Sequence, residues 1–551
     1  MLKGSCALAL VLSQAVWALP AAAQQVTLPA DFISPTVPQD VPAGPGASIQ
    51  DLAIFAWQEF IALNWTASDP TVSGKRGTPN TGVGFTDIAP DNGSFPLVVW
   101  QTYRHKNELF PTDGTTDPTF DGFAPSYAYQ RNPTPGTGVN GQIPSFTLFN
   151  NLDETSQIGL ANMYAHSTTV PPTPPNGIRV AYEAKVNRAV FSYLVGNGFT
   201  NSANGYGLLT AAQSNTGPIL NPGLSSYPNV GICTLPPGVS ATSIVMLPCG
   251  GVPSTFDPAG EGAIEIKAAW RALTSADNPD HFFTRNVIYY TGQPPNQKYN
   301  NAVWGLVALH IIHKTRSFPA FVFASWEQVD NYDDANNTNS QGLAFDNTGD
   351  ASILPDIPVT RNHAINSPIP PVNEAAHTAF TASNPNTIWQ YYKLIGVQAT
   401  PVDGPPAASA SPDDLSYYYM ANLMVETNQP LQNFTGSVQA SLSNPPGQQK
   451  NVYVAGAAGS PYQMGGCQGC HGFQGQLLGG DMSVLVANGS SNSEFAESID
   501  ATGAQAIKTY TQRLHDVRLR TNLLLKHFFP QGHYYGTGKP GTSKPGKGSH
   551  Y

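Results

Sequence analysis

The chain has 551 residues, of which 40% are hydrophobic and only 11% are charged, and its formal net charge is −10. Globular proteins usually carry about 25% charged residues. The 52 glycines and 49 prolines together form a larger share of the chain than the usual ~12%. Disordered chains combine low hydrophobicity with high net charge, and collagens repeat glycine at every third position, so both classes are excluded. Beyond the N-terminus no run of about 18 apolar residues occurs, which excludes a protein with several membrane-spanning helices.

The N-terminus has the pattern of a secretory signal peptide over residues 1–23. Lys3 supplies the positive start, residues 7–19 are mostly apolar, and Ala21, Ala22 and Ala23 offer a cleavage site. A membrane anchor is the alternative interpretation, but the apolar run is too short to span a bilayer and ends at a proline. We therefore expect an exported protein without a transmembrane anchor, periplasmic or secreted beyond the periplasm.

Residues 24–455 form the predicted body, and its first element is a helix that begins near Ser48. Asp51 follows three residues later as a weaker form of the capping box, and the next residues are too apolar on all sides for a surface helix. Further along, turn-forming residues separate short apolar segments such as 97–100 and 146–149. We interpret these segments as short strands joined by long loops.

Three segments predict an antiparallel sheet at the centre of the body. Residues 263–267 alternate between apolar and charged, 303–314 form a longer strand, and 321–324 form a third. The predicted fold class is α+β, with a β-rich, loop-rich body that contains this sheet and a smaller, mainly helical C-terminal region.

The cysteines divide into two pairs once Cys6 is assigned to the signal peptide. Cys233 and Cys249 stand 16 residues apart in a segment rich in glycine and proline. In an oxidising compartment they are candidates for a disulfide, which would contribute about 3 kcal/mol in the chain-entropy model. Cys467 and Cys470 form the second pair.

Cys467, Cys470 and His471 form a C-x-x-C-H motif, the attachment signal of a c-type haem. Two thiols bond the haem covalently, and the adjacent histidine supplies the proximal iron ligand. A thioredoxin-like dithiol would sit in a βαβ unit, whereas glycines flank this motif on both sides. A zinc site would need a second close cysteine pair, and Cys233 and Cys249 are too far apart. We predict one covalent haem c, with a redox dithiol or a metal site as alternatives.

The sixth coordination position of the iron distinguishes an electron carrier from an enzyme, because an iron without a sixth protein ligand permits chemistry on peroxide or oxygen. Met482, eleven residues after the motif, is a candidate distal ligand, and a core methionine is the alternative interpretation. Met420, Met424 and Met464 precede the motif, and His515 would give a bis-histidine iron.

His310 and His313 lie in the longest predicted strand and fall on opposite faces, because side chains alternate along a strand. One flat site therefore cannot use both. A histidine in a sheet is more often a hydrogen-bonded core residue than a ligand, and the functional interpretation is a distal haem residue or a metal ligand. Glu327 and Asp330 could support such a site, although surface positions are the simpler interpretation.

Residues 456–535 form the predicted cytochrome c-like haem region, which includes a long helix over 504–528. Residues 536–551 are predicted to be a disordered basic tail. From Lys508 onward the chain has eight Lys or Arg and one Asp, so a basic end follows an acidic body. This end could dock an acidic redox partner protein, and a solvated tail is the alternative. No nucleic-acid partner is expected.

The sequence resembles a group of large, single-haem "cytochrome c family" proteins of proteobacteria. The resemblance implies an exported haem protein in which Cys467, Cys470 and His471 hold the cofactor. The segment after His471 differs from that of small cytochromes c, which place the methionine ligand further on. Besides the haem motif, the similar stretches are 57–65, 99–102, 268–271, 309–315, 326–331 and 388–392.

Three functions follow from these features. The first is a periplasmic c-type cytochrome that transfers electrons through one haem. A body of this size exceeds what a simple carrier needs. The second is therefore a haem-dependent oxidoreductase, of peroxidase or oxygenase type, with a pocket in the body. The third is a binding or structural protein that the haem stabilises.

Overall fold

The structure is a computed structural model, and it describes most of the body together with parts of the C-terminal third. The described residues are 26–114, 117–122, 124–136, 146–157, 161–167, 178–201, 206–220, 231–275, 277–331, 343–347, 357–359, 365–399, 422, 424, 439–441, 461–463, 467, 471, 479–489 and 496–500. The predicted signal peptide, the 504–528 helix and the basic tail lie outside these residues.

The described chain contains runs of consecutive strands and a smaller number of helices. The helices are α1 (Ile49–Leu63), α2 (Lys106–Leu109), α3 (Arg188–Gly196), α4 (Gly207–Leu220), α5 (Ile369–Ser383) and α6 (Val484–Ala487). The strands are β1 (Arg104–His105), β2 (Thr134–Pro135), β3 (Asn151–Leu152), β4 (Ser156–Gln157), β5 (Ala161–Ser167), β6 (Ile178–Arg179), β7 (Ala181–Val186), β8 (Ile264–Ala272), β9 (Thr284–Thr291), β10 (Lys298–His313), β11 (Val322–Gln328), β12 (Leu343–Asn347), β13 (Ile357–Val359), β14 (Tyr392–Gln398), β15 (Gln439–Ser441) and β16 (Pro461–Gln463).

The first helix begins as the sequence predicts. Ser48 is its N-cap, its side chain accepts a hydrogen bond from the backbone N–H of Asp51, and the Asp51 carboxylate accepts one from the Ser48 N–H. This reciprocal pair satisfies two N–H groups that have no partner within the helix. Most α1 side chains are buried, so α1 is the core helix that its composition indicates.

A large, mainly antiparallel sheet forms the centre of the body. Its strands run in the order β1-β7-β8-β10-β11-β14, with β9 and β2 also paired to β10, and β3 to β9. The pairs of β2 with β10 and of β3 with β9 are parallel. With the helices around it, the fold class is α+β, which confirms the coarse prediction.

The two faces of this sheet have different coverings. Leu309, Ile311 and His313 of β10 face α1, whose Phe60 lies 5.1 Å, between ring centroids, from Trp326 of β11. His310 lies on the other face together with Ser325, its direct partner in β11. The second face is the one that His471 approaches.

Two segments differ from their predicted structure. Residues 97–100 and 146–149 were expected to be strands, and the structure instead forms short 3-10 helices over Val99–Thr102 and Thr147–Phe149. Short apolar runs carry no clear period, so their burial predicts a core position without fixing the backbone conformation. No helix among the described residues is long and apolar enough to cross a membrane.

Cys233 and Cys249 are joined by a disulfide with a Cα–Cα distance of 5.6 Å. The bond closes a loop beside the end of β10, because the N–H of Gly250 donates to the carbonyl of Lys314 at 2.8 Å. The disulfide thus holds a turn-rich segment against the strand that carries His310 and His313.

Candidate functional site

His471 has one ring nitrogen engaged by the backbone. Its Nδ1–H donates to the carbonyl oxygen of Met482 at 2.8 Å. Such a bond fixes the tautomer, because Nδ1 carries the proton and Nε2 keeps the lone pair. Histidines that ligate metals are commonly held in this way, with the second nitrogen donating to a carbonyl or a carboxylate.

The carbonyl that holds His471 belongs to a turn in an uncommon conformation. Asp481 and Met482 both have positive φ values, +54° and +69°. Side chains other than glycine pay a steric cost there, and such residues cluster at functional sites. Just before them, Gly479 passes so close to α4 that an added Cβ would lie 2.1 Å from the carbonyl oxygen of Gln213. The turn is therefore held tightly against the body.

Three polar contacts fix this turn in place. The carboxylate of Asp481 forms an ion pair with Lys314, both side chains being fully buried, and accepts the N–H of Leu247 at 2.7 Å. Gln213 donates through Nε2 to the carbonyl of Val486 at 2.9 Å. Met482 itself is fully buried in the hydrophobic core. The position of the His471 ring thus depends on the end of β10 and on α4.

Cys467 belongs to the same hydrophobic core as Met482. It is 5% exposed. Cys470, the second cysteine of the motif, lies outside the described residues, as do Met420, Met464 and His515. Met424 is described and is buried beside Val180 and Ala308 in a smaller apolar cluster.

Two side chains of the sheet approach the His471 ring. Phe323 of β11 meets it nearly edge-on, with ring centroids 4.7 Å apart and an interplanar angle of 61°. His310 of β10 lies 6.3 Å away between ring centroids. The Nδ1 of His310 is 2.7 Å from the Oγ of Ser325. The structure therefore brings together the motif histidine and the strand histidine named as a possible distal residue.

The surroundings keep His471 neutral. Burial is the main cause and the neighbouring His310 adds to it, and together they lower the pKa of His471 to about 3. The Met482 carbonyl favours the protonated form but does not outweigh the burial. A neutral imidazole is the form that binds a metal, so the ring needs no proton loss near neutral pH.

A buried carboxylic acid stands near the same turn. Glu265 of β8 hydrogen-bonds to Ser483, next to Met482 in the chain, and burial raises its pKa to about 7. The charge of Asp481 adds to this rise, whereas the Ser483 hydroxyl opposes it. Glu265 therefore changes its charge near neutral pH within reach of the turn that holds His471.

His313 is separated from this site, as its position in β10 predicts. Its Nδ1 hydrogen-bonds to the carboxylate of Glu59 on α1, and its Nε2–H donates to the carbonyl of Glu261 at 2.6 Å. His313 is thus a hydrogen-bonded core residue, the simpler of the two alternatives. Glu327 is fully buried rather than on the surface, whereas Asp330 is partly exposed and bonds to Nδ1 of His281 at 2.7 Å.

The described residues fit a covalent c-type haem by the chemistry of their donors. Cys467 offers a thiol, and His471 offers a neutral imidazole whose Nδ1 is already held by a carbonyl. Among the described residues no group of three His, Cys, Asp or Glu could hold a metal ion.

The motif and His310 were named from the sequence, but their supporting residues were not. Phe323 and Ser325 lie in the strand next to His310, and Lys314 and Asp481 are 167 residues apart in the chain. The available signal was weak: a charged Lys314 directly after an apolar strand, and an Asp481 within a glycine-rich turn. Neither pattern specifies a partner.

Comparison with known proteins gives no match. No protein-family model, no curated protein and no solved structure is significantly similar to this chain.

Proposed function

We propose that this protein is an exported c-type cytochrome that transfers electrons through one haem, bound to Cys467 and Cys470 and ligated by His471. The observation that carries the proposal is the hydrogen bond from His471 Nδ1 to the Met482 carbonyl, within a C-x-x-C-H motif. It presents the histidine in the tautomer and charge state that an iron ligand requires.

A haem held there would supply reversible one-electron exchange between ferric and ferrous iron. The protein's own residues perform the remaining tasks. Met482 orients the imidazole, and the Lys314–Asp481 pair and Gln213 hold the turn that carries Met482. The apolar residues around Cys467 and Met482 limit access of water, which affects the reduction potential.

The proposal extends to the parts of the chain outside the described residues. Residues 456–535 would form a mainly helical haem region, and the basic end would dock an acidic redox protein. We further propose that the protein is exported to the periplasm or beyond it, which the signal-peptide pattern supports. The resemblance to large single-haem cytochromes agrees with this assignment.

The test is production of the full chain in a bacterial host with an active c-type cytochrome maturation system. The purified protein should keep its haem after denaturation and give the pyridine haemochrome spectrum of a haem attached through two thioethers. Changing Cys467 and Cys470 together to alanine should abolish covalent haem, whereas a Cys233→Ser/Cys249→Ser variant should retain it. A wild-type protein without covalent haem under these conditions contradicts the proposal.

A further inference from the structure

We propose that a cleft between α5 and the edge of β14 binds a small zwitterionic molecule of the amino-acid class, with an ammonium group, a carboxylate and an apolar side chain. The cleft has a volume of about 650 Å³, within the range of sites that hold small molecules. Its lining belongs to the body and does not include the C-x-x-C-H motif, so this inference is independent of the proposed haem.

α5 forms one wall of the cleft and is fixed to the edge of the central sheet. The side-chain amide of Asn373 donates to the Leu394 carbonyl at 2.9 Å and accepts the Leu394 N–H at 3.2 Å. The same amide oxygen accepts the indole N–H of Trp57 at 2.9 Å. His377, one turn later, donates through Nε2–H to the Tyr392 carbonyl at 2.7 Å. These bonds hold the wall in place without a ligand, which lowers the entropic cost of binding.

The same bonds exclude one kind of ligand. β14 is an edge strand of the sheet, and an exposed edge can accept an extended peptide as an additional strand. Here the N–H and carbonyl of Leu394 and the carbonyl of Tyr392 are already bonded to α5. A peptide therefore cannot pair with this part of the edge, and side chains must recognise the ligand.

Three side chains of the cleft offer hydrogen-bond acceptors. Glu374 occupies an exposed position of α5, lines the cleft and forms no ion pair with another described residue. Because the Nε2–H of His377 donates to a carbonyl, its Nδ1 keeps the lone pair, and burial lowers the pKa of His377 so that the ring stays neutral. Gln390 uses its Nε2 for the carbonyls of Pro385 and Thr387, which leaves Oε1 as an acceptor. A carboxylate that shares a cleft with neutral acceptors suits an ammonium group.

Lys393 supplies the positive charge of the cleft. It stands in β14 directly opposite Glu327 of β11, and it lines the cleft. A lysine ammonium has three N–H donors, so it can bond to a ligand carboxylate in addition to a contact within the protein. With His377 neutral, Glu374 and Lys393 give the lining one negative and one positive charge. A zwitterion matches both charges, whereas an anion or a cation matches only one of them.

Apolar side chains complete the lining. They are those of Val329, Ile365 and Pro370, of which Val329 and Ile365 are partly buried. Ligand pockets combine such apolar surface with a few polar groups that fix the orientation of the ligand. The apolar residues suit an aliphatic side chain, which leaves water on binding. The amino acid leucine, or a short peptide that contains it, has all three features.

The test is isothermal titration calorimetry of the purified full-length protein with L-leucine and with glycyl-L-leucine. N-acetyl-L-leucine lacks the ammonium group and L-leucinamide lacks the carboxylate, so these analogues examine the two charges separately. The variants are Glu374→Gln, Lys393→Gln and Thr378→Arg, the last of which fills the cleft from an exposed position of α5. Ser383→Arg is the matched control, because it adds the same side chain at an exposed position of α5 outside the cleft lining.

The wild type should bind at least one of the two probes, and N-acetyl-L-leucine and L-leucinamide should bind about tenfold more weakly, the effect of losing one charge-assisted hydrogen bond. Glu374→Gln should weaken binding of the probe by a similar factor but leave the affinity for N-acetyl-L-leucine unchanged. Lys393→Gln should do the same with respect to L-leucinamide. Thr378→Arg should abolish binding, and Ser383→Arg should retain it.

The inference is overturned if neither probe binds the wild type at millimolar concentration, or if Thr378→Arg binds as well as Ser383→Arg. Equal affinity for L-leucine and both analogues would also overturn it, because the charges of the cleft would then not contribute. If Lys393→Gln does not fold, L-leucinamide and Thr378→Arg still decide the question. The haem content of the protein does not enter these outcomes, so a failure of the proposed function is distinguishable from a failure of this inference.

Discussion

Lys314 and Asp481 form an ion pair in which both side chains are fully buried. Lys314 follows the last residue of β10, and Asp481 lies in the turn that presents the Met482 carbonyl to His471. The pair thus ties the central sheet to the segment after the C-x-x-C-H motif.

Breaking this pair should destabilise the protein strongly. Asp481→Asn keeps the shape of the side chain and tolerates the positive φ, but it leaves the Lys314 ammonium buried without its counter-charge. Removing one partner of a buried ion pair typically costs about 3–5 kcal/mol. Chemical denaturation monitored by circular dichroism should show this loss in the free energy of unfolding.

A double variant provides the control. Lys314→Met with Asp481→Asn removes the buried charge as well as the pair, so it should recover much of the lost stability. Equal stability of Asp481→Asn and wild type would show that the pair does not hold the turn.

Stability should fall as the pH rises through the titration of Glu265. Its pKa is raised by burial to about 7, against an ordinary value of 4.5, so the folded protein binds this proton more tightly than the unfolded chain does. The contribution of Glu265 to the free energy of unfolding is therefore largest below about pH 4.5 and declines as the pH rises to about 7. The linked change is roughly 3 kcal/mol.

Glu265→Gln should make that decline shallower by roughly 3 kcal/mol, because an amide does not titrate. Burial also raises the pKa of Glu261 to about 7, so part of the decline should persist in the variant. The measurement is the free energy of unfolding from pH 5 to 8 for wild type and variant. Glu374→Gln, at an exposed position of α5, is the matched control and should keep the wild-type dependence. A parallel decline in Glu265→Gln would assign the effect to another group.

A second carboxylate, that of Glu108, should make the protein less stable as the pH falls, opposite to the effect of Glu265. Burial alone would raise the pKa of Glu108, but the charges of Arg76 and Arg104 outweigh it and lower the pKa to about 2. The guanidinium nitrogens lie 2.8 Å and 2.6 Å from the Glu108 carboxylate oxygens. This contribution, roughly 3 kcal/mol, is complete above about pH 4.5 and is lost as the pH falls towards 2.

Glu108→Gln should lose about 3–5 kcal/mol at neutral pH, because two buried guanidinium groups lose their counter-charge. Its unfolding free energy should also depend less steeply on pH between about 4.5 and 2 than that of the wild type. Asp31→Asn, at an exposed position, is the comparison variant. If the variant were as stable as the wild type at pH 7, the ion pairs of Glu108 with Arg76 and Arg104 would not stabilise the fold.

Removing the disulfide between Cys233 and Cys249 should lower stability by about 3 kcal/mol, the chain-entropy value for a loop of this size. The Cys233→Ser/Cys249→Ser variant should unfold at lower denaturant than the oxidised wild type. Reduced wild type should match the variant. An unchanged midpoint would show that the segment is held by its other contacts.

Local pattern predicts the elements whose sequence carries a clear period or cap. The capping box at Ser48 and the alternation along β10 predicted α1 and the opposite faces of His310 and His313, because these features depend on neighbouring residues only. The segment 97–100 has too few residues to show a period, so its 3-10 conformation over Val99–Thr102 was missed.

In the candidate site, too, the sequence predicts the features that depend on neighbouring residues and misses those that depend on distant ones. C-x-x-C-H is a contiguous motif, so the sequence names Cys467 and His471 directly. The approach of His310 to His471 and the pairing of Lys314 with Asp481 depend on chain segments that meet only after folding. No local pattern encodes a partner more than a hundred residues away.

Burial of Cys467 limits when the proposed haem could be attached to it. Only 5% of this residue is accessible in the folded structure, where it packs in the same core as Met482. An enzyme that attaches the proposed haem to this residue would have to reach it before the core around it forms. Cofactor attachment would thus precede the last folding step, and a chain that folded first would shield its own attachment site.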